Sequence, residues 1–113
     1  MAEAYDVGIA PHCPLGPIAL AASMQVALAT PNFVIQEMSL GIHYNSMNNS
    51  KYDLCNYLKD PGVFSVKEGY VAALKGPGLG IEVDEVEVRK VSKGCKAWRC
   101  LEFHGPDGEV REW

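Results

Sequence analysis

The sequence predicts an α/β fold, and three segments carry that prediction. A short apolar run, Val7-Gly8-Ile9-Ala10, leads into a loop rich in Pro and Gly. A long Ala-rich segment follows, and a second apolar run, Phe33-Val34-Ile35, comes after it. Strand, helix and strand in that order form one β-α-β unit, which implies parallel strands and a right-handed crossover. Two parallel strands do not make a stable sheet alone, because both of their faces need cover.

Each element has a local reason. Ala2-Glu3-Ala4-Tyr5 reads as the last turn of a helix, too short to be stable by itself. Val7 to Ala10 is short and continuously apolar, the pattern of a buried strand. Pro11, Pro14, Gly16 and Pro17 then exclude regular structure, and Gly16-Pro17 opens a helix with proline suited to its first turn. From Ile18 to Ala29 only Ser23 and Gln25 are polar, which predicts a helix covered on nearly every face. Thr30-Pro31-Asn32 stops it, and Phe33-Val34-Ile35 ends in Gln36-Glu37.

After Glu37 the character changes. Residues 38–44 are mixed, and Asn45 to Asn49 form a polar turn. Tyr52 to Leu58 has apolar residues at helical spacing, ended by Asp60-Pro61-Gly62. Phe64 to Leu74 holds short extended candidates, and Lys75-Gly76-Pro77-Gly78-Leu79-Gly80 is a rigid turn. Ile81-Glu82-Val83 reads as a strand. Asp84 with Glu87 suits a capping box for a helix through Val91, whereas the valines favour a strand; both readings stay open. The tail from Gly94 onward is irregular, with Trp98, Phe103 and Trp113 as packing anchors.

Composition bounds the function. The chain has 113 residues, enough for one domain or part of one, and its 48% hydrophobic and 21% charged residues exclude a disordered chain. A net charge of −4 without any Lys/Arg run argues against nucleic acid as a partner. The apolar stretch from Pro17 to Ala29 is too short to span a bilayer, which argues against a membrane. The N-terminus lacks the regions of a signal peptide, so the expected location is the cytoplasm. Cys13, Cys55, Cys95 and Cys100 form no C-x-x-C pair, so a structural zinc site is not expected and free thiols are the default. Asn48-Asn49-Ser50 has the form of a glycosylation sequon, without meaning in an unexported chain.

The segment Ala10-Pro11-His12-Cys13-Pro14-Leu15-Gly16-Pro17 is the most informative. It places one imidazole where a strand breaks into a stiffened loop, the position where α/β enzymes hold proton-transfer groups. On residues alone, His12 reads first as a polar loop residue and Glu37 as a solvated strand-end carboxylate. His104 precedes Gly105-Pro106-Asp107-Gly108 and belongs to an exposed turn. Asp84, Glu85 and Glu87 read as a capped, solvated helix face. His12 and Cys13 lack a third donor for a metal site.

That octapeptide, with Ala2-Glu3-Ala4-Tyr5-Asp6-Val7 before it and Ile18-Ala19-Leu20-Ala21-Ala22 after it, resembles the C-terminal part of the D-galactonate dehydratases. These belong to the mandelate racemase/muconate-lactonising group of the enolase superfamily. Gln36-Glu37, Gly41-Ile42-His43-Tyr44-Asn45, the run from Lys75 to Glu85 and the closing Glu112-Trp113 continue the resemblance in order. The middle, residues 46–73, and the tail, residues 91–111, match only loosely.

The resemblance implies a C-terminal fragment of a modified (β/α)7β TIM-type barrel. Residues 1–45 would be the last β-α-β unit, with Val7–Ala10 as strand seven and Phe33–Gln36 as strand eight. Residues 46–113 would be a C-terminal extension packing toward a capping domain absent from this chain. It implies a magnesium-dependent hydro-lyase that converts D-galactonate to its 2-keto-3-deoxy acid. His12 would be the general acid/base at carbon 2, and an imidazole suits that task near neutral pH. Its partner aspartate comes from strand six in the family and is absent here. Glu37 would stabilise the charge that develops on the substrate carboxylate. To donate a hydrogen bond it must be protonated, a form that burial favours. His43 is a candidate substrate contact, set against a structural role for it and for Tyr44. The Mg2+ ligands and the second histidine of the family have no counterpart in this chain. Family members are often homo-oligomeric.

Two readings of function follow. In one the chain is a piece of a sugar-acid dehydratase and acts on a small sugar acid when completed. In the other it is an inert truncated or split-gene product, at most an assembly partner, and whether the isolated chain is an enzyme stays open. Loss of metal ligands and of one acid/base group favours inertness of the isolated chain. A third reading, an independent binding module, needs a self-sufficient core that the pattern does not offer.

Overall fold

The computed structural model describes residues 1–40, 53–93 and 102–111. His43, Tyr44, the polar turn at 45–49, the sequon, Tyr52, Cys95, Trp98, Cys100 and the closing Glu112-Trp113 lie outside the described residues.

The N-terminal helical turn is a turn of 3-10 helix, Glu3–Tyr5, closed by Asp6 in the left-handed region at φ 53°. The first apolar run then meets the second in parallel, with Ile9 opposite Phe33. The Ile9 N–H donates to the Asn32 carbonyl at 2.8 Å, and the Val34 N–H donates to the Ile9 carbonyl at 2.9 Å. One residue bonding to both neighbours of its partner is the parallel pattern. The Asn32 side-chain amide donates to the Val7 carbonyl at 2.6 Å and extends the pairing by one residue. Gly8 allows the close approach, since a Cβ there would lie 2.5 Å from Val34 Cγ2.

Helix α1 spans Pro17–Leu28 and connects the two runs. Proline takes its first position after an extended Gly16, as its fixed φ and missing N–H permit. Thr30 ends it, with its hydroxyl donating to the Val26 carbonyl at 2.7 Å. The buried residues Pro17, Leu20, Ala21, Met24 and Ala27 recur at three- and four-residue spacing and form one face.

The core lies on that face. Leu20, Ala21 and Met24 pack with Cys13, Leu58 and Phe64, so the segment after residue 53 supplies the cover for α1. The side-chain amide of Gln25 donates to the Leu79 carbonyl at 3.2 Å and ties the same two parts together.

The structure corrects two expectations of burial. The helix is covered on one face only: Ile18, Val26 and Leu28 stand exposed. The paired runs are not buried either, since Val7, Phe33, Val34 and Ile35 are all exposed. The physical reason is that pairing satisfies backbone groups and leaves both sheet faces bare unless another layer covers them.

Downstream, the helical spacing before Asp60 resolves into a turn of 3-10 helix, Leu54–Tyr57, where the Asp53 side chain accepts from the Cys55 N–H at 2.8 Å. The Ile81-Glu82-Val83 run makes a single antiparallel bridge, Leu58 with Val83, instead of a strand. Lys59 N–H donates to Glu82 O at 2.9 Å and Asp84 N–H to Tyr57 O at 2.7 Å around it. The turn before it needs glycine at position 80, where φ is 74° and a Cβ would sit 2.8 Å from Leu74 Cβ.

The open choice after Asp84 is settled as helix α2, Glu85–Ser92. The Asp84 carboxylate accepts from Val86 and Glu87 N–H at 3.0 and 3.1 Å. Only half of the capping box forms, because the Glu87 side chain pairs with Lys90 at 3.0 Å instead of reaching back. The tail is not wholly irregular: β1, Phe103–His104, pairs antiparallel with β2, Val110–Arg111, across the Gly105–Gly108 turn.

Candidate functional site

The loop after the first run and the end of the second run bring His12 and Glu37 together. His12 Nδ1 lies 2.6 Å from Glu37 Oε2. The same oxygen accepts the Cys13 backbone N–H at 2.9 Å. Glu37 N–H in turn donates to the Pro11 carbonyl at 3.3 Å, so the two chain ends are joined by backbone as well as side chain.

The parallel register makes this meeting inevitable. With Ile9 opposite Phe33, residues three to four further on in each run emerge at the same end of the pair. Ligand and catalytic groups of parallel sheets gather at that carboxyl end.

The contact fixes the chemistry of the imidazole. A neutral ring whose Nδ1 faces a carboxylate carries its proton on Nδ1, and Nε2 keeps the free lone pair. His12 is therefore arranged to accept a proton through Nε2, with Glu37 placed to stabilise the imidazolium that results. The pair is open to solvent: the side chains are 79% and 47% exposed. The burial expected of Glu37 is thus not found among the described residues. An exposed pair of this kind contributes only about 0–1 kcal/mol to stability, so its geometry has to be held by the surroundings.

Those surroundings include a residue to which sequence reasoning gave no role. The Gln36 side-chain amide donates to the Pro11 carbonyl at 3.2 Å and to the Glu37 carbonyl at 2.7 Å. Its oxygen accepts the Ser23 hydroxyl at 2.9 Å. The available signal was Ser23 itself, one of two polar side chains in an otherwise apolar helix. A hydroxyl there needs a partner, and the partner is on the second run.

His12 and Cys13 do not share a site, because His12 stands in solvent whereas Cys13 is 2% exposed in the core. Among the described residues no group of three His, Cys, Asp or Glu side chains is placed to hold a metal. The donor set at His12 does not fit Mg2+, which takes near-octahedral oxygen ligands: its one carboxylate is already engaged by His12 and Cys13. His104 is exposed on β1, with Nδ1 3.4 Å from the Gly108 carbonyl and far in sequence from the pair. Asp84, Glu85 and Glu87 serve α2 as cap and ion-pair partners. No helix among the described residues is long and apolar enough to cross a membrane.

The family described as enolase C-terminal domain-like matches residues 1–87. The chain is similar to the D-galactonate dehydratase of Cronobacter sakazakii (strain ATCC BAA-894), 50% identical over 113 residues, which is all of this chain and 28% of that protein. Those of Xanthomonas axonopodis pv. citri (strain 306) and Variovorax paradoxus (strain S110) are each 47% identical over the same span and share of length. The chain therefore spans 28% of the length of the curated relatives it matches.

Proposed function

The chain belongs to the enolase C-terminal domain-like family, whose fold is α/β, and on that premise we propose that it is the His12-bearing end of a sugar-acid dehydratase barrel. Residues 1–45 supply the last β-α-β unit, and residues 46–113 form a C-terminal extension directed toward a capping domain; within it Leu58 and Phe64 pack against α1. The substrate class is a galactonate-type acid, as in the names of the relatives.

The observation that carries the reading is the 2.6 Å contact between His12 Nδ1 and Glu37 Oε2 at the carboxyl end of two parallel runs. His12 Nε2 takes the proton next to the substrate carboxylate, and the electron pair left behind forms an enediolate. Glu37 orients the ring through Oε2 and steadies its positive charge. Loss of the 3-hydroxyl then gives an enol that becomes the 2-keto-3-deoxy acid. The acid for that hydroxyl and the ligands for magnesium come from outside these residues, and His43 is the further substrate contact.

A second reading applies to the chain by itself. Its exposed apolar faces and its lack of a ligand set for Mg2+ among the described residues support an inert fragment whose role is assembly.

The two are separated by one assay. The purified chain is mixed with magnesium and D-galactonate, with and without a polypeptide covering the remaining part of a D-galactonate dehydratase relative. Co-elution on size exclusion confirms that the two associate. We expect 2-keto-3-deoxy acid only from the mixture. His12→Asn in this chain should lower turnover at least about 100-fold, the scale of a lost general base. A co-eluting mixture that makes no product would sink the dehydratase reading and leave the inert one.

A further inference from the structure

We propose that Gln36 is a positioning residue for His12: a single side-chain amide that holds the backbone on both sides of the His12–Glu37 pair and anchors it to α1. The inference rests on the reading of His12 as the proton-transferring group.

The amide is nearly saturated. Its two N–H bonds go to the carbonyls of Pro11 and Glu37, and its oxygen accepts from Ser23. The reverse orientation would set the amide oxygen against two carbonyl oxygens, so these partners fix which way it points. The carbonyls it holds are not arbitrary. Pro11 O belongs to the peptide that leads into His12, and Glu37 O to the residue that pairs with the imidazole. The Pro11 carbonyl also accepts the Glu37 N–H at 3.3 Å, so the peptide plane before His12 is gripped by two donors. That plane sets where the His12 side chain leaves the backbone. The third partner, Ser23, lies in the middle of α1, which carries more buried residues than any other element among the described residues, between buried Leu20, Ala21 and Met24.

This device answers a weakness of the site. With side chains 79% and 47% exposed, the His12–Glu37 contact cannot hold its own geometry against solvent. A half-buried amide behind it can, because its partners are backbone groups and a helix that moves with the core. Ser23 is then linked to His12 by hydrogen bonds through Gln36, although it does not touch the ring.

The test reads the imidazole itself. The full chain is labelled with 15N-histidine, and the His12 ring is assigned by loss of its signals in His12→Asn. In the neutral ring the wild type should show the proton on Nδ1 and a bare Nε2. Gln36→Met keeps the length and removes all three bonds. It should lower the ratio of Nδ1–H to Nε2–H forms by roughly fivefold, the factor expected for about one hydrogen bond's net contribution. Gln36→Glu, which puts carboxylate oxygen against the two carbonyls, should lower it at least as far. Ser23→Ala should lower it less, about twofold, since one bond of three is lost. Circular dichroism checks that α1 remains. A folded Gln36→Met chain with an unchanged ratio overturns the proposal, as does a wild type with its proton on Nε2. If Gln36→Met does not fold, Ser23→Ala decides, and an unchanged ratio there overturns it too. No turnover is measured, so failure of the dehydratase reading in the assay above leaves this result separate.

Discussion

Cys55 shows how one side chain's surroundings set its chemistry. Burial pushes its thiol up from 9.0 to about 11, and the charge and hydrogen bond of Asp53, which also caps the turn of 3-10 helix, push in the same direction. The thiolate is the nucleophile, so the folded chain keeps Cys55 unreactive near neutral pH. Alkylation of Cys55 by iodoacetamide, followed by peptide mass spectrometry, should rise only as pH approaches about 11. Asp53→Asn removes the charge and keeps a capping side chain, and should bring that rise to lower pH. Labelling at neutral pH as fast as in the urea-unfolded chain would refute the assignment. The same shift has a consequence for stability. Between 9.0 and about 11 the unfolded chain releases a proton that the folded chain holds. The contribution of Cys55 is therefore complete below 9.0 and is lost as pH rises through about 11. Urea midpoints taken across that window should fall with pH and flatten in Cys55→Ser.

At the scale of elements, α2 depends on its first turn. It has eight residues, none of them buried, so packing contributes little and end effects decide. Asp84 satisfies two N–H groups, and Glu85 and Glu87 meet the positive end of the helix while Arg89 and Lys90 meet the negative end. Asp84→Ala should cost about 1 kcal/mol, visible as lost helical circular dichroism and a Tm lower by roughly 4–8 °C. Asp84→Asn should recover most of it. This helix was legible in part: the cap was visible in sequence, while three valines in residues 83–88 argued for a strand. The cap prevailed because, among the described residues, the valines have no partner strand beyond the Leu58–Val83 bridge. The α1 boundaries were equally legible from Gly16-Pro17 and Thr30. The β1–β2 hairpin was not, because two-residue strands carry no alternation to read. For the site, His12 and Glu37 stood out by motif and position. Gln36 did not: an amide on a strand end has no signature of its own, and the pointer to it was indirect, the Ser23 hydroxyl that needs a partner.

For the whole molecule, the balance between core and exposed apolar surface sets behaviour. Among the described residues the buried apolar cluster is Cys13, Leu20, Ala21, Met24, Leu58 and Phe64. Outside it, Val34 is 69%, Ile35 64%, Val26 63% and Leu28 60% exposed. Apolar surface of this kind on both strand and helix marks a surface built to be covered. Uncovered, it should bind the dye ANS and drive self-association that grows with concentration in sedimentation velocity. Placing one charge on each element, Ile35→Glu with Val26→Lys, should weaken both signals while leaving helical circular dichroism unchanged. The charges enter water at positions that make no core contact, so folding should not be penalised. Leu20→Ala is the contrast. At 1% exposure Leu20 is central to the cluster, and its truncation should cost about 2–5 kcal/mol and increase dye binding. If the charged double variant unfolds, the exposed residues contribute to the fold and the division between core and covered surface is wrong. If it folds but associates as before, the association surface lies elsewhere. Reduced association with a preserved helix would place the missing cover over the Val26 and Ile35 faces. The same variant should then fail to co-elute with the remaining part of a dehydratase relative.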